Sequence, residues 1–251
     1  MAPFTEPTAI LSHLHRADGS ATFSQNGFTV IGAVNGPLEI QRRDELPEEA
    51  AIDVLIRPAA GVGGTRERHL ESILQATLRQ IILIHNFPRT LIQVTLQITS
   101  TPKNDCAGSN VKTNHICHQN LPILPALLQT ALLALLSASM PLSMTLASVY
   151  LSLTSEGSII VNPTPLESQS ATSVHVLAFT SHGELLVAES EGDFTLEDWK
   201  VVYEAGKEIC YDASEPNKDH TMGDGEQDGS LMMFVQSTLE DKVKTDLQWK
   251  A

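Results

Sequence analysis

Cysteine is scarce in this chain: only Cys106, Cys117 and Cys210 occur, an odd number at scattered positions. That excludes the disulfide framework of a small secreted domain and points to a reducing compartment. Basic residues are also few. With 16 Lys and Arg against 30 Asp and Glu, the net charge is −14, which excludes a protein that grips nucleic acid through a broad basic face of its own. Any RNA contact has to be local or shared. The N-terminal Met-Ala-Pro-Phe-Thr-Glu-Pro-Thr has neither a basic start with an apolar run nor the arginines of a transit peptide, so no targeting segment is expected. No hydrophobic run reaches the about 20 residues of a bilayer span. The apolar stretch from Ala126 to Ala138 is bracketed by Pro125 and Pro141 and interrupted by Gln129 and Thr130, which fits a buried core helix. There is no internal repeat.

Complete catalytic motifs are lacking too. Gly61-Val-Gly-Gly-Thr65 stands between a predicted strand and a predicted helix, where backbone N–H groups could cradle a phosphate. No Gly-Lys-Ser/Thr follows and a third dinucleotide-type glycine is absent, so a nucleotide fold is rejected in favour of a plain loop. Cys106, His115, Cys117 and His118 have no zinc spacing, so no metal and no cofactor is expected. His13 and His15 read as solvent-facing or locally bonded. No Gly-x-Ser-x-Gly elbow occurs, and Asp44-Glu45 with Glu48-Glu49 form a solvated loop.

What is present is a foldable chain. Its 251 residues, 42% hydrophobic and 18% charged, are enough for one main domain with extensions. Ala21–Gln25 and Phe28–Val34 flank Asn26-Gly27, a pair that favours positive φ and so a tight hairpin. A third strand over 51–58 ends at Pro58. From Arg66, apolar residues at 70, 73, 74, 78, 81 and 82 fall on one helical face, with the helix running on to Asn86-Phe-Pro88. Leu91–Ile98 alternates as a half-buried strand. Residues 100–120 read as a polar insertion. Strands are expected over 145–154, 158–161, 174–179 and 184–189. Thr195-Leu-Glu-Asp198 then caps a last helix docked by Trp199. The final 39 positions, 213–251, carry eight acidic and four basic residues and read as an acidic, flexible tail, in which Leu231–Gln236 could form a short helix on a partner.

Several segments in order carry a resemblance. Arg16-Ala-Asp18-Gly19, Asn35-Gly36-Pro37, Phe87-Pro88-Arg89-Thr90, Ala131 to Pro141 and Asn162-Pro-Thr164 resemble successive landmarks of the RNase PH family of phosphorolytic exoribonucleases, over residues 13–212. The Asp-Gly-Ser-Ala form is similar to ring subunits of the eukaryotic RNA exosome. This implies an α+β, RNase PH-like domain over 1–212, with mixed sheets packed against helices, followed by the tail. Catalytic members have an arginine after Asp-Gly, where this chain has Ser20. Their Gly-Gly-Thr-Arg phosphate clamp has no counterpart between Gln97 and the next helix, and the position of their catalytic aspartate falls on Thr172. Phosphorolysis needs a cationic clamp on the attacking phosphate, so the resemblance implies no catalytic residue here.

It further implies a hexameric ring of RNase-PH-like subunits with RNA-binding cap subunits, threading RNA toward a separate hydrolytic exoribonuclease in rRNA processing and RNA degradation. The implied setting is nucleus and nucleolus, also cytoplasm, with no membrane. The segment from Arg57 to Arg68 faces the channel in related rings. Arg66 and Arg68 are then candidate phosphate contacts, or else ordinary arginines at a helix start. Two other readings stay open: an active phosphate-dependent 3′–5′ exoribonuclease using Asp18 and Arg89, and an acidic binding module holding a small anion on Gly61–Thr65.

Overall fold

The computed structural model describes residues 7–102, 121–155, 157–211 and 231–250. The N-terminal half builds a five-stranded sheet from β1 (Thr8–Leu11), β2 (Gly19–Gln25), β3 (Phe28–Glu39), β4 (Ala51–Arg57) and β5 (Thr90–Ser100), in the order β1-β2-β3-β5-β4. Asn26 (φ 52°) and Gly27 (φ 79°) close the β2–β3 hairpin in the left-handed region, as that dipeptide requires. Only β4 and β5 run parallel, and the crossover between them is α1 (Thr65–Ile81). Period-two alternation settles one face of this sheet. Ile52, Val54 and Ile56 stand beside Ile92, Val94 and Leu96, all buried, while Asp53 and Arg57 point to solvent.

The second half adds an antiparallel sheet of β6 (Leu146–Leu153), β7 (Ile159–Val161), β8 (Ser173–Thr180) and β9 (Leu185–Gly192), in the order β7-β6-β8-β9. Between the sheets lies α2 (Leu124–Ser137), every residue of which except Leu136 is buried. A helix apolar on all sides has to sit inside a core, and α2 packs on β2 and β3 of one sheet and on β6 and β8 of the other. Its polar Thr130 is satisfied internally, the hydroxyl donating to the Ala126 carbonyl (2.6 Å). The strands meet α2 at glycines. A Cβ on Gly19 would lie 2.4 Å from the Ala134 carbonyl oxygen, and one on Gly32 would lie 2.8 Å from Thr130 Cγ2.

The far face of the second sheet is covered by α4 (Leu196–Tyr211), through Val202, Gly206 and Cys210. The predicted cap is present: Thr195 Oγ1 accepts from the Asp198 N–H (3.3 Å), and Asp198 accepts from the Thr195 N–H (3.0 Å). Trp199, half-buried, packs on the same cluster and against His175 (5.9 Å between ring centres), so the helix docks through it as expected, together with Tyr203 on Phe179 (5.5 Å). Two short elements, β1 and α3 (Pro165–Ser170), have too few residues to show a period.

Two expectations need correction. The first helix stops at Ile81 rather than at Asn86, because Ile82 turns extended to bridge Leu142 and the Leu83 N–H donates to the Pro141 carbonyl (3.1 Å). Tertiary pairing overrides the helical period there. Within the expected tail, Leu231–Asp246 forms a helix, α5, on the chain's own core. Leu231 and Val235 are buried, and the Phe234 ring meets Phe23 edge-on at 6.1 Å. Lys242 Nζ donates to the Ser137 carbonyl (2.9 Å), a cation at the negative end of α2. The acidic composition hid the spacing of 231, 234 and 235. Residues 212–230 and the 103–120 part of the insertion lie outside the described residues.

Replacing Gly19 by alanine should destabilise the chain by about 1–3 kcal/mol through overpacking. Gly63→Ala, where the new Cβ finds only ordinary contacts, should stay within about 0.5 kcal/mol. Denaturant midpoints at constant slope measure both.

Candidate functional site

The first two landmarks are a single piece of structure. Asp18 Oδ2 accepts from the Gly36 N–H at 2.9 Å, so Arg16-Ala-Asp-Gly clasps the Asn35-Gly36-Pro37 turn, where Gly36 (φ 152°) lies against the Leu91 carbonyl. Ser20 faces inward and is 1% exposed. Its Oγ accepts from the Leu14 N–H (3.0 Å), and its own N–H donates to Ser137 Oγ (3.4 Å), which also bonds Ser12 Oγ (2.9 Å). This serine knots the N-terminal turn to the end of α2. Arg89, at φ 62°, pairs with Glu45 Oε1 (3.2 Å), and Arg79 pairs with Glu49. The acidic loop at 44–49 therefore holds arginines at the surface, where each pair contributes little, about 0–1 kcal/mol. His13 is locally bonded, to Thr22 Oγ1 (3.1 Å), and His15 is exposed.

Arg66 and Arg68 lie at the opposite end of the sheet. β4 runs from Ala51, beside the start of β5, to Arg57, so about 20 Å of strand separates the Asp18 and Arg89 end from the 57–68 loop. Gln97 pins that loop by donating to the Pro58 carbonyl (3.1 Å). Residues 61–66 and Arg68 are exposed, Val62 at 96%. The Glu67 carboxylate takes the Gly64 N–H (2.6 Å), placing negative charge where a small anion would sit. Arg57, exposed at the last position of β4, adds a third arginine to this end. Its signal was its place at a strand end before the loop.

Immediately ahead of α2 the described residues, from Leu121 on, are apolar. Leu121, Ile123 and Leu124 are buried, Pro122 and Pro125 have no N–H to offer, and no side chain caps the helix. There is no cation between 121 and 125. Thr172 is the hinge into β8: its N–H donates to the Leu153 carbonyl (2.9 Å), and its carbonyl accepts from the Asp193 N–H (3.3 Å). Just beyond it is a histidine that sequence reasoning missed, since one histidine in a buried strand gives no signal. His175 is fully buried, with Nε2 bonded to Ser173 Oγ (2.9 Å), Nδ1 bonded to Ser190 Oγ (2.8 Å), and Phe194 edge-on at 4.9 Å. Burial pushes its pKa down.

Among the described residues no group of three or more His, Cys, Asp or Glu could hold a metal, and no helix is long and apolar enough to cross a membrane. Cys106, His115, Cys117 and His118 lie outside them. Cys210 is buried, which raises its thiol pKa to about 12.

The comparisons with known proteins agree with this architecture. The family model for the 3′ exoribonuclease family, domain 1 (RNase PH), matches residues 6–141. The exosome complex component RRP46 of Saccharomyces cerevisiae is 35% identical over 208 residues, 80% of this chain and 87% of that protein. In fold, the crystal structure of rice (Oryza sativa) Rrp46 superposes with a TM-score of 0.75 at 24% identity, over 94% of this chain and 95% of that one. The Archaeoglobus fulgidus exosome with RNA bound to the active site gives a TM-score of 0.59 at 14% identity, over 81% and 85%.

The site makes a prediction about pH. Because burial holds the folded His175 below its ordinary value, the unfolded one, with a pKa near 6.5, takes a proton first as pH falls. Its contribution to stability is therefore complete above the unfolded pKa and shrinks as pH drops below it, by at most about 1.4 kcal/mol per pH unit. Urea melts from pH 7.5 to 5 should lose less stability in His175→Asn than in the wild type.

Proposed function

Because the chain belongs to the RNase PH family of 3′ exoribonucleases, over a matched half of its length and a 35% identical relative, we propose that it is a non-catalytic structural subunit of an RNA exosome core ring. In that role it supports 3′–5′ RNA processing and degradation, including rRNA maturation and RNA turnover. Its partners are other RNase-PH-like ring subunits, RNA-binding cap subunits, a hydrolytic exoribonuclease and the RNA that passes through. It works in the nucleus and nucleolus and also in the cytoplasm.

One observation carries the non-catalytic half of this reading: between Gln97 and the start of α2 the sequence holds no arginine for a phosphate clamp, and Leu121, Ile123 and Leu124, at the helix start, are buried. Phosphorolysis draws a phosphate anion against a polyanionic substrate, and catalysis consists of positioning plus cationic stabilisation of the charge that develops. Buried leucine, isoleucine and proline supply neither. At the other two family positions Ser20 is committed to an internal hydrogen bond through its Oγ, and Thr172, exposed, offers a hydroxyl and no carboxylate. Asp18 and Arg89, on which an active enzyme would depend, are engaged with Gly36 and Glu45.

RNA contact falls to Arg57, Arg66 and Arg68 at the exposed loop end. Phosphate contacts fix the path of a strand without reading its sequence, which suits a wall that RNA slides past. A net charge of −14 fits such a wall, since a few local arginines can hold a phosphate backbone that the whole surface would repel.

Purified alone, the subunit should release no nucleoside diphosphate from RNA in phosphate; phosphate-dependent release would overturn the reading. Purified from cells, it should come out in a stoichiometric assembly with RNase-PH-like and cap subunits. In that assembly, R66E with R68E should weaken RNA binding alike for all sequences and flatten the log–log salt dependence by about one unit per lost phosphate contact.

A further inference from the structure

A sheet edge is a row of unpaired N–H and C=O groups, and proteins close such edges with short strands or with side chains. Three of the four sheet edges here are closed in one of these ways. β1 has four residues and β7 has three. On β4, the Ile56 N–H donates to Glu71 Oε1 and the Ile52 carbonyl accepts from Gln75 Nε2, both at 2.8 Å, so α1 closes that edge with its own side chains.

β9 differs. It has eight residues and pairs with β8 from Ser173↔Gly192 to Phe179↔Leu185, and among the described residues no strand lies on its other side. In place of a cover there is a groove of about 250 Å³ between this edge and the first turns of α4, lined by Leu185, Trp199, Lys200, Tyr203 and Glu204. Phe194 extends its apolar wall, 6.3 Å from Trp199 between ring centres and 42% exposed. The groove itself holds one cation and one carboxylate, Lys200 and Glu204, but the segment that forms it is strongly acidic: from Glu184 to Glu204 there are seven carboxylates and one lysine.

We propose that the free edge of β9 is a docking site for an extended, basic segment of a partner protein, added as a further antiparallel or parallel strand. Its backbone would satisfy the open groups of β9. Alternate side chains would point in opposite directions: apolar ones into the Trp199 and Tyr203 groove, and Lys or Arg ones toward the surrounding carboxylates. The inference rests on the edge, the groove and the charge.

The test uses the full chain carrying Trp249→Phe, so that Trp199 is its sole tryptophan. The probes are synthetic peptides matched in length to β9: one alternating valine and lysine, one alternating valine and glutamate, and a valine–lysine version interrupted by prolines. The valine–lysine peptide should shift Trp199 fluorescence and slow amide hydrogen exchange across 185–192. It should bind about tenfold more tightly than either control, and Ala188→Lys or Glu189→Lys, both on the strand surface, should weaken it severalfold. Equal binding of the two charge types, or binding without protection of β9 amides, would overturn the proposal. Self-association of the chain through β9 in the absence of peptide would overturn it too, giving the edge to a second copy.

Discussion

The rest of the structure depends on one constraint: α2 is apolar on every side and must be enclosed. Two sheets are needed to surround it, and they can approach only where β2 and β3 place no side chain, at Gly19 and Gly32. The strand order follows from the same demand. In each sheet the strands against α2 are flanked by pairs that close the wedge, and α1, α4 and α5 fill the remaining faces. Gly19 is thus both the end of the Arg-x-Asp-Gly signature and the point of closest approach between strand and helix. The signature has a packing role here, with Asp18 clasping the turn at Gly36 and Gly19 admitting the helix.

The positions at which the resemblance places catalytic groups are occupied here by uncharged residues. A serine where an active relative needs a guanidinium ties the first turn to α2. A threonine where the resemblance places a carboxylate serves through its backbone, and proline and leucine fill the ground before α2. Ser20, Leu121 and Ile123 are buried and contribute to packing, whereas Thr172 stays exposed. The loop at 57–68 is exposed, glycine-rich and bordered by arginines.

Much of this was legible in the sequence, and for identifiable reasons. The Asn26-Gly27 hairpin, the alternation of β5, the helical period from Leu70 to Ile81 and the continuous apolar run of α2 are strong local signals that the tertiary structure also wants. The signals failed where long-range pairing decided the outcome. Ile82 fits the helical face of α1 yet leaves it to bridge Leu142. Leu231, Phe234 and Val235 are too few to stand out in an acidic segment, although Phe23 gives them a partner. For the site the sequence offered only subtraction: Ser20, Thr172 and the lack of an arginine between Gln97 and α2, set against the resemblance. Sequence could not show that Asp18 and Arg89 are already engaged, because Gly36 and Glu45 reach them only through the folding of the sheet, nor that His175 is walled in by two serines on neighbouring strands.

The docking of α5 has a consequence for how the chain is made. Phe23 belongs to the second strand to leave the ribosome, but the ring that covers it belongs to residue 234, and the cation on the end of α2 to residue 242. The N-terminal sheet and α2 can assemble once they are translated, yet their shared core stays unsealed until the roughly hundred residues between Ser137 and Lys242 have followed. During that interval the nascent subunit exposes the apolar ground between Phe23 and the end of α2. It is then at its stickiest, and at its most dependent on chaperones or on the speed of its own translation.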